Sequence, residues 1–259
     1  MNYALFALLI TVSLFFGTLI LLETGRRIGN YRLAQDRDGA RAGIGAIDGA
    51  VFALLGLLMA FTFSGAASRF DLRRNLIVEE TNAIGTAYLR LDLLTADAQP
   101  ALRDLFGRYV DSRLEVYRRL PDIAAARQEL AQSAQLQSAL WDQAVAAVQL
   151  EGAPASATML LLPALNQMID ITTTRTMMGQ LHPPLIIYVM LFGLTLAGAL
   201  LAGYEMAGGK SRNWLHMLSF AAVMAIAVYV ILDIEYPRLG LIQVSAFDQA
   251  LVELRQSMK

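Results

Sequence analysis

The sequence predicts an all-α membrane protein with four membrane-spanning helices, two at each end of the chain, and a helical, water-exposed domain between them. Hydrophobic residues make up 56% of the 259 residues and charged residues only 17%, which is more apolar than an ordinary soluble domain. The apolar residues are concentrated in four charge-poor runs, and the alternation typical of strands is absent. These observations favour spanning helices over a soluble core.

The first charge-poor run is the N-terminal one. About 20 apolar residues, at a rise of 1.5 Å each, cross the roughly 30 Å hydrocarbon core of a bilayer. A cleaved signal peptide is the alternative, but no basic leader precedes the run, and arginines follow where a small-residue cleavage site would lie. The predicted spans are residues 3–22, 44–66, 184–204 and 214–232.

The middle of the chain reads as helix throughout. No proline occurs between Ile44 and Gln99, so the second span is expected to continue about 75 Å as one projecting helix. Three further helices are predicted: Pro100 to Pro121, the N-cap Asp122 to Leu150, and Ser156 to Leu181 with a kink at Pro163. After the last span, residues 246–258 are predicted to form an amphipathic tail. The predicted domains are 1–66 and 184–234 with two spans each, 67–183 as the extramembrane domain, and 235–259 as the C-terminal tail.

Basic residues near the membrane predict the orientation. Four spans place both termini and the middle domain on one side, opposite the loops 23–43 and 205–213. The loops contain seven basic residues: Arg26, Arg27, Arg32, Arg37, Arg41, Lys210 and Arg212. The other side has five or six: Arg69, Arg73, Arg74, Arg175, Arg238 and the more distant Arg255. The positive-inside rule therefore places the loops in the cytoplasm of an inner membrane and the middle domain outside.

The second span carries a stripe of small residues at helical spacing. They are Gly45, Gly49, Ala53, Gly56, Ala60, Ser64 and Ala67. Such a stripe allows close packing against other helices. It also suits a helix that lines a pore around a symmetry axis, with large neighbouring side chains as constrictions. The pore candidates are Phe52, Gly56, Met59, Ala60 and Phe63, with Leu55 on the same neighbouring face.

Ionisable residues at the membrane are a second group of candidates. Asp48 lies one turn inside the second span, where it is either functional or stabilised by the start of the helix. Asp233 and Glu235 follow the fourth span; they either attract cations or pair with Arg238 or Arg175.

The projecting helix carries four more charged candidates, Arg73, Arg74, Glu79 and Glu80. The arginines and glutamates are five to seven positions apart, too far for mutual pairing within one helix. We therefore expect these side chains to pair between helices or between subunits.

The sequence also argues against several function classes. It has no cysteine, and His182 and His216 stand alone without a second ligand at helical spacing, so we expect no metal. Catalytic and nucleotide-binding motifs are absent, so we expect neither an enzyme nor a cofactor. The net charge of −1 gives no basis for nucleic-acid binding.

Three stretches resemble a known family: residues 52–94, 165–178 and 232–245. They are similar to bacterial membrane proteins with a bestrophin-like domain. Bestrophins proper are pentameric chloride-permeable channels whose second span lines the pore, with a pattern similar to Phe52, Gly56 and Phe70-Asp71. The resemblance implies an oligomer, a pentamer in bestrophins, that conducts ions, with anions as the implied class.

Two functions remain open at this point. The first is an oligomeric channel-like protein in the lipid bilayer, with the second span around the axis, an arginine-rich vestibule and inorganic ions as partners. The alternative is a non-conducting scaffold or sensor whose middle domain binds a partner or ligand. In bestrophins the middle domain is cytoplasmic, which is opposite to the orientation that the basic residues predict.

Overall fold

The computed structural model describes residues 3–36, 44–209 and 212–258. Within them the chain forms α-helices and short 3₁₀ turns and no strand. The helices are α1 Tyr3–Gln35, α2 Ile44–Leu89, α3 Gln99–Arg118, α4 Ile123–Val148, α5 Ala155–Gln180, α6 Leu185–Glu205, α7 Trp214–Glu235 and α8 Gln249–Ser257.

The all-α prediction with four spans of membrane length is confirmed at the level of helices. Four segments are long and apolar enough to cross a bilayer: α1, α2, the stretch Ala155–Glu205 that contains α5 and α6, and α7. Arg37, Arg41 and Lys210, three of the seven loop residues behind the predicted orientation, lie outside the described residues.

The chain divides into two compact units. The span unit comprises Met1–Arg69 and His182–Leu241, and the helical unit comprises Phe70–Leu181 and Ile242–Lys259. Helix α2 runs without a break through 46 residues, about 69 Å, so it contributes to both units. The C-terminal tail thus belongs to the helical unit, a placement that the sequence did not predict.

The span unit is held together where glycines let α1 and α6 touch. A Cβ atom added at Gly25 would lie 1.9 Å from the carbonyl oxygen of Leu200, and one at Gly203 would lie 2.0 Å from that of Leu22. No other residue type permits backbones this close. Helix α7 completes the unit, where Val228 joins a buried apolar cluster.

The helical unit has its own apolar core. Side chains from the second part of α2 and from α3, α4 and α5 meet there, and the ring of Tyr88 lies edge-on to that of Phe106 at 5.7 Å. Asp122 caps α4 as predicted, because its Oδ1 accepts a hydrogen bond from the Ala125 amide at 3.0 Å. Helix α8 covers the core with Leu251, which is fully buried.

Candidate functional site

Helix α2 presents two different faces in the span unit. Leu55, Thr62 and Ala66 recur at helical spacing and are buried within the chain. The small-residue stripe lies on another face: its first six members are exposed, and Ala67 is half-buried. No described atom would lie within 4 Å of a Cβ added at Gly49 or Gly56. At these glycines, the stripe is therefore not covered by any other helix among the described residues.

The five pore candidates separate between these faces. Gly56 and Ala60 are exposed, and so is Phe63, at 46% of its surface. Phe52 is half-buried, with its ring edge-on to that of Phe220 at 6.4 Å, and Met59 packs against a buried apolar cluster of the span unit. Phe52 and Met59 thus pack against other side chains of the chain, whereas Phe63 is exposed. A constriction formed by these side chains stays a prediction.

Asp48 lies on the buried face of α2. Its side chain is 3% exposed, and among the described residues its Oδ2 has no hydrogen-bond partner. The aspartate therefore does not belong to the exposed small-residue face.

Glu235 is the centre of a polar cluster at the end of α7. Its carboxylate is fully buried and accepts hydrogen bonds from Arg69 Nε at 3.0 Å and from Arg69 Nη2 at 2.7 Å. His182 Nδ1 lies 3.2 Å from Oε1, and the His182 ring stacks on Tyr236 at 4.3 Å. The sequence predicted Arg238 or Arg175 as partners of Asp233 and Glu235, and the structure adds Arg69 as a partner of Glu235.

Asp233 closes the turn that follows α7. Its side chain is buried, and its Oδ1 accepts a hydrogen bond from the Leu241 amide at 2.9 Å. A Cβ at Gly240 would lie 2.1 Å from this oxygen, so a larger residue there would displace the carboxylate. The carboxylate therefore holds the end of the span unit in shape, and its burial does not suit a cation-attracting mouth.

The helical unit contains a buried ion network around Glu80. Glu80 Oε1 accepts a hydrogen bond from Arg113 Nε at 2.6 Å, and Oε2 accepts one from Arg175 Nη1 at 2.5 Å. Arg175 Nη2 also donates to Asp248 Oδ1 at 3.1 Å, and its guanidinium carbon lies 4.0 Å from the Tyr117 ring centre. Glu80 thus pairs between helices, as the spacing of charges predicted.

Arg113 stays charged in this buried network. Desolvation opposes its charge, but the field of Tyr117 and the field and hydrogen bond of Glu80 raise the pKa of Arg113 above its ordinary value. Burial also raises the pKa of the neighbouring Tyr109 to about 12. Arg113 therefore stays protonated and Tyr109 stays neutral at physiological pH.

The other arginines of α2 are also engaged inside the protomer. Arg73 is 8% exposed and donates to the Met178 carbonyl at 3.2 Å and the Leu181 carbonyl at 2.8 Å, where α5 ends. The Arg74 guanidinium lies 4.9 Å from the Phe247 ring centre. Glu79, in contrast, is exposed.

Several residues of these clusters are not among the site residues predicted from the sequence: Arg69, Arg113, Tyr117, His182, Tyr236 and Asp248. One signal could have identified Arg69, since it continues the helical spacing of Leu55 and Thr62 on the buried face of α2. A charge in phase with buried apolar residues indicates a buried partner. Within the described residues, no group of three or more histidine, cysteine or acidic side chains could hold a metal ion.

Comparison with known proteins supports the resemblance seen in the sequence. The model of the Bestrophin-like domain family matches residues 31–247. Neither the curated proteins nor the solved structures contain a match. The family match covers most of the chain, including α2 to α7, the pair of Arg69 and Glu235, and Glu80 with Arg113 and Arg175. The protein is therefore a member of the Bestrophin-like domain family.

Proposed function

We propose that the protein is an oligomeric, channel-like membrane protein in which α2 of several copies surrounds a common axis. Membership of the Bestrophin-like family supports a channel-like protein. The uncovered small-residue face of α2 carries the proposal, because a Cβ at Gly49 or Gly56 would have free space around it. Small side chains let helices approach closely in lipid, so this face suits contact with α2 of other copies.

The large exposed side chain beside the stripe provides the constriction in this proposal. Phe63 projects from the protomer, whereas Phe52 and Met59 support the helix from within. Several phenylalanines around one axis form a hydrophobic narrowing that blocks ions by dewetting. Five copies would follow the bestrophin arrangement.

An anion as the permeant ion is supported by the resemblance to bestrophins. The arginines of α2 add no support, since Arg69 pairs with Glu235 and Arg73 binds backbone carbonyls. The exposed charges of the same helix include the acidic Asp71 and Glu79. Reversal potentials of the purified protein in a KCl gradient assign the sign of the permeant ion.

Cysteine substitution tests the axis directly, because the chain contains no native cysteine. Ala60→Cys places a thiol on the exposed face, and Ala66→Cys places one on the buried face of the same helix. We expect Ala60→Cys to form disulfides between copies, and its modification by a charged thiol reagent to reduce ion flux in liposomes. Ala66→Cys should do neither. Equal behaviour of the two variants would contradict the proposed axis.

The second candidate function is a non-conducting sensor or scaffold. A polar groove in the helical unit favours it, because the groove offers a ligand site outside the spans. If a folded, oligomeric protein gives no flux for any ion, and the Phe63→Ala variant gives none either, this second function replaces the first.

A further inference from the structure

The helical unit contains a polar groove of 530 Å³ between α2 and α5. The α2 wall carries Glu79 and Asn82, and the α5 wall carries Asn166, Asp170 and Thr174. Ala83 and Ile171 add apolar surface to the lining. The volume lies in the range of small-molecule sites, which is roughly 300–1,000 Å³.

The groove is built by two polar clamps that join the helices beyond its ends. On one side Arg73 donates to the Met178 carbonyl at 3.2 Å; on the other, Nη1 of Arg90, the residue that follows α2, donates to the Leu160 carbonyl at 2.6 Å. Between the clamps, the buried Glu80 and Arg175 also bind each other across the two helices. The walls are therefore fixed at three points, and the groove is preorganised.

The charge of the lining selects the class of ligand. Each wall contributes one carboxylate, Glu79 from α2 and Asp170 from α5, and no arginine or lysine belongs to the described lining. The lining thus favours a cation. Within the described residues no third acidic or histidine ligand joins these two to hold a metal ion. The amide and hydroxyl groups of Asn82, Asn166 and Thr174 suit a ligand with several N–H donors.

We propose that this groove binds a small organic ammonium ion of the polyamine class. One ammonium group lies against each carboxylate, and the side-chain amides accept the remaining N–H groups. Asn166 already donates from Nδ2 to Asp170 Oδ2 at 3.0 Å, which orients the carboxylate on the α5 wall. The inference concerns the helical unit, and it holds whether or not the protein conducts ions.

Calorimetric titration of the purified full-length protein with spermidine tests the proposal. We expect saturable binding that weakens with salt, because exposed charges are screened. Glu79→Gln and Asp170→Asn should each weaken binding about tenfold, since each removes one close charge pair. Asp142→Asn, which removes an exposed carboxylate of α4 outside the groove, is the matched control and should bind like wild type.

Three outcomes would overturn the proposal. One is the absence of saturable spermidine binding to folded wild-type protein. Another is binding that Glu79→Gln and Asp170→Asn leave unchanged, because the amine then binds elsewhere. The third is loss of Mg²⁺ binding in these variants without loss of spermidine binding, which would identify a metal site. Thermal melts of the variants confirm that each is folded, as expected for isosteric changes at an open groove.

Discussion

At the scale of single residues, two buried glutamates of this protein pair with arginines far along the chain. Glu80 binds Arg175 across 95 positions, and Glu235 binds Arg69 across 166. A buried ion pair gains little net stability when it forms, because both charges lose their hydration. Removing one partner is costly, because the other charge is left without compensation.

Glu80→Gln tests this asymmetry. The change leaves Arg113 and Arg175 buried beside a neutral amide, so we expect a loss of roughly 3–5 kcal/mol in the free energy of unfolding. Asp92→Asn is the control, since Asp92 pairs with Arg103 at the surface and such pairs contribute about 0–1 kcal/mol. Denaturation of both variants in detergent measures the difference. A similar loss in Glu80→Gln and Asp92→Asn would show that the buried Glu80 network is no more important for stability than a surface ion pair.

At the scale of elements, two glycine-containing helices have opposite roles. Gly45 and Gly49 belong to the exposed small-residue stripe of α2, whereas the close contact within the chain is made by Gly25 and Gly29 of α1. The two pairs have the same spacing, and both stand in helices. The two pairs differ in their surroundings: the backbone of α6 lies against the glycines of α1, whereas the glycines of α2 face open space.

Alanine substitution distinguishes these roles. Gly25→Ala would place its Cβ 1.9 Å from the Leu200 oxygen, so α1 and α6 must separate and we expect a loss of about 1–3 kcal/mol or more. Gly56→Ala meets open space and should preserve the thermal stability of the protomer.

The larger Gly56→Leu should disrupt assembly while the protomer stays folded. Thermal melts and size-exclusion chromatography measure both effects, and a normal oligomer of Gly56→Leu would show that this face contacts lipid or water.

The aromatic residues of α2 give a second test at this scale. Phe63→Ala removes an exposed ring, so we expect higher ion flux with little change in stability. Phe52→Ala removes a ring that packs on Phe220, so we expect a loss of roughly 2–3 kcal/mol without a rise in flux. Single-channel recording in planar bilayers, together with thermal melts, separates the two variants. Instability of Phe63→Ala with no current would favour a scaffold.

At the scale of the whole molecule, the orientation in the membrane determines which compartment the helical unit faces. The loop residues opposite the termini carry seven basic side chains, against five or six on the other side. This bias predicts an extracytoplasmic helical unit, whereas the bestrophin arrangement implies a cytoplasmic one.

A reporter enzyme fused after Lys259 decides the orientation. We expect the reporter to behave as extracytoplasmic, because positively charged loops are retained in the cytoplasm. A fusion within the loop 23–43 serves as the control and should report the opposite side. Cytoplasmic activity of the C-terminal fusion would establish the bestrophin layout and reverse the prediction.

The sequence by itself determined the helices and the apolar spans. Runs such as 3–22 are recognised because hydropathy and helix length are sums over neighbouring residues. Asp122 and the prolines at 100 and 121 mark helix ends for a similar local reason, since capping acts within one turn. The family was also evident from contiguous stretches, and its model match confirms that prediction.

Only the tertiary structure decided which side chains meet. The pairing of Glu235 with Arg69 was not predicted from sequence, because several arginines lie near membrane edges and hydropathy does not distinguish them. The uncovered face of α2 and the groove beside Glu79 depend on how α2 packs with α6, α7 and α5. Such contacts join residues more than 90 positions apart, and their free energy depends on burial and on distances of a few ångströms, which no local pattern encodes.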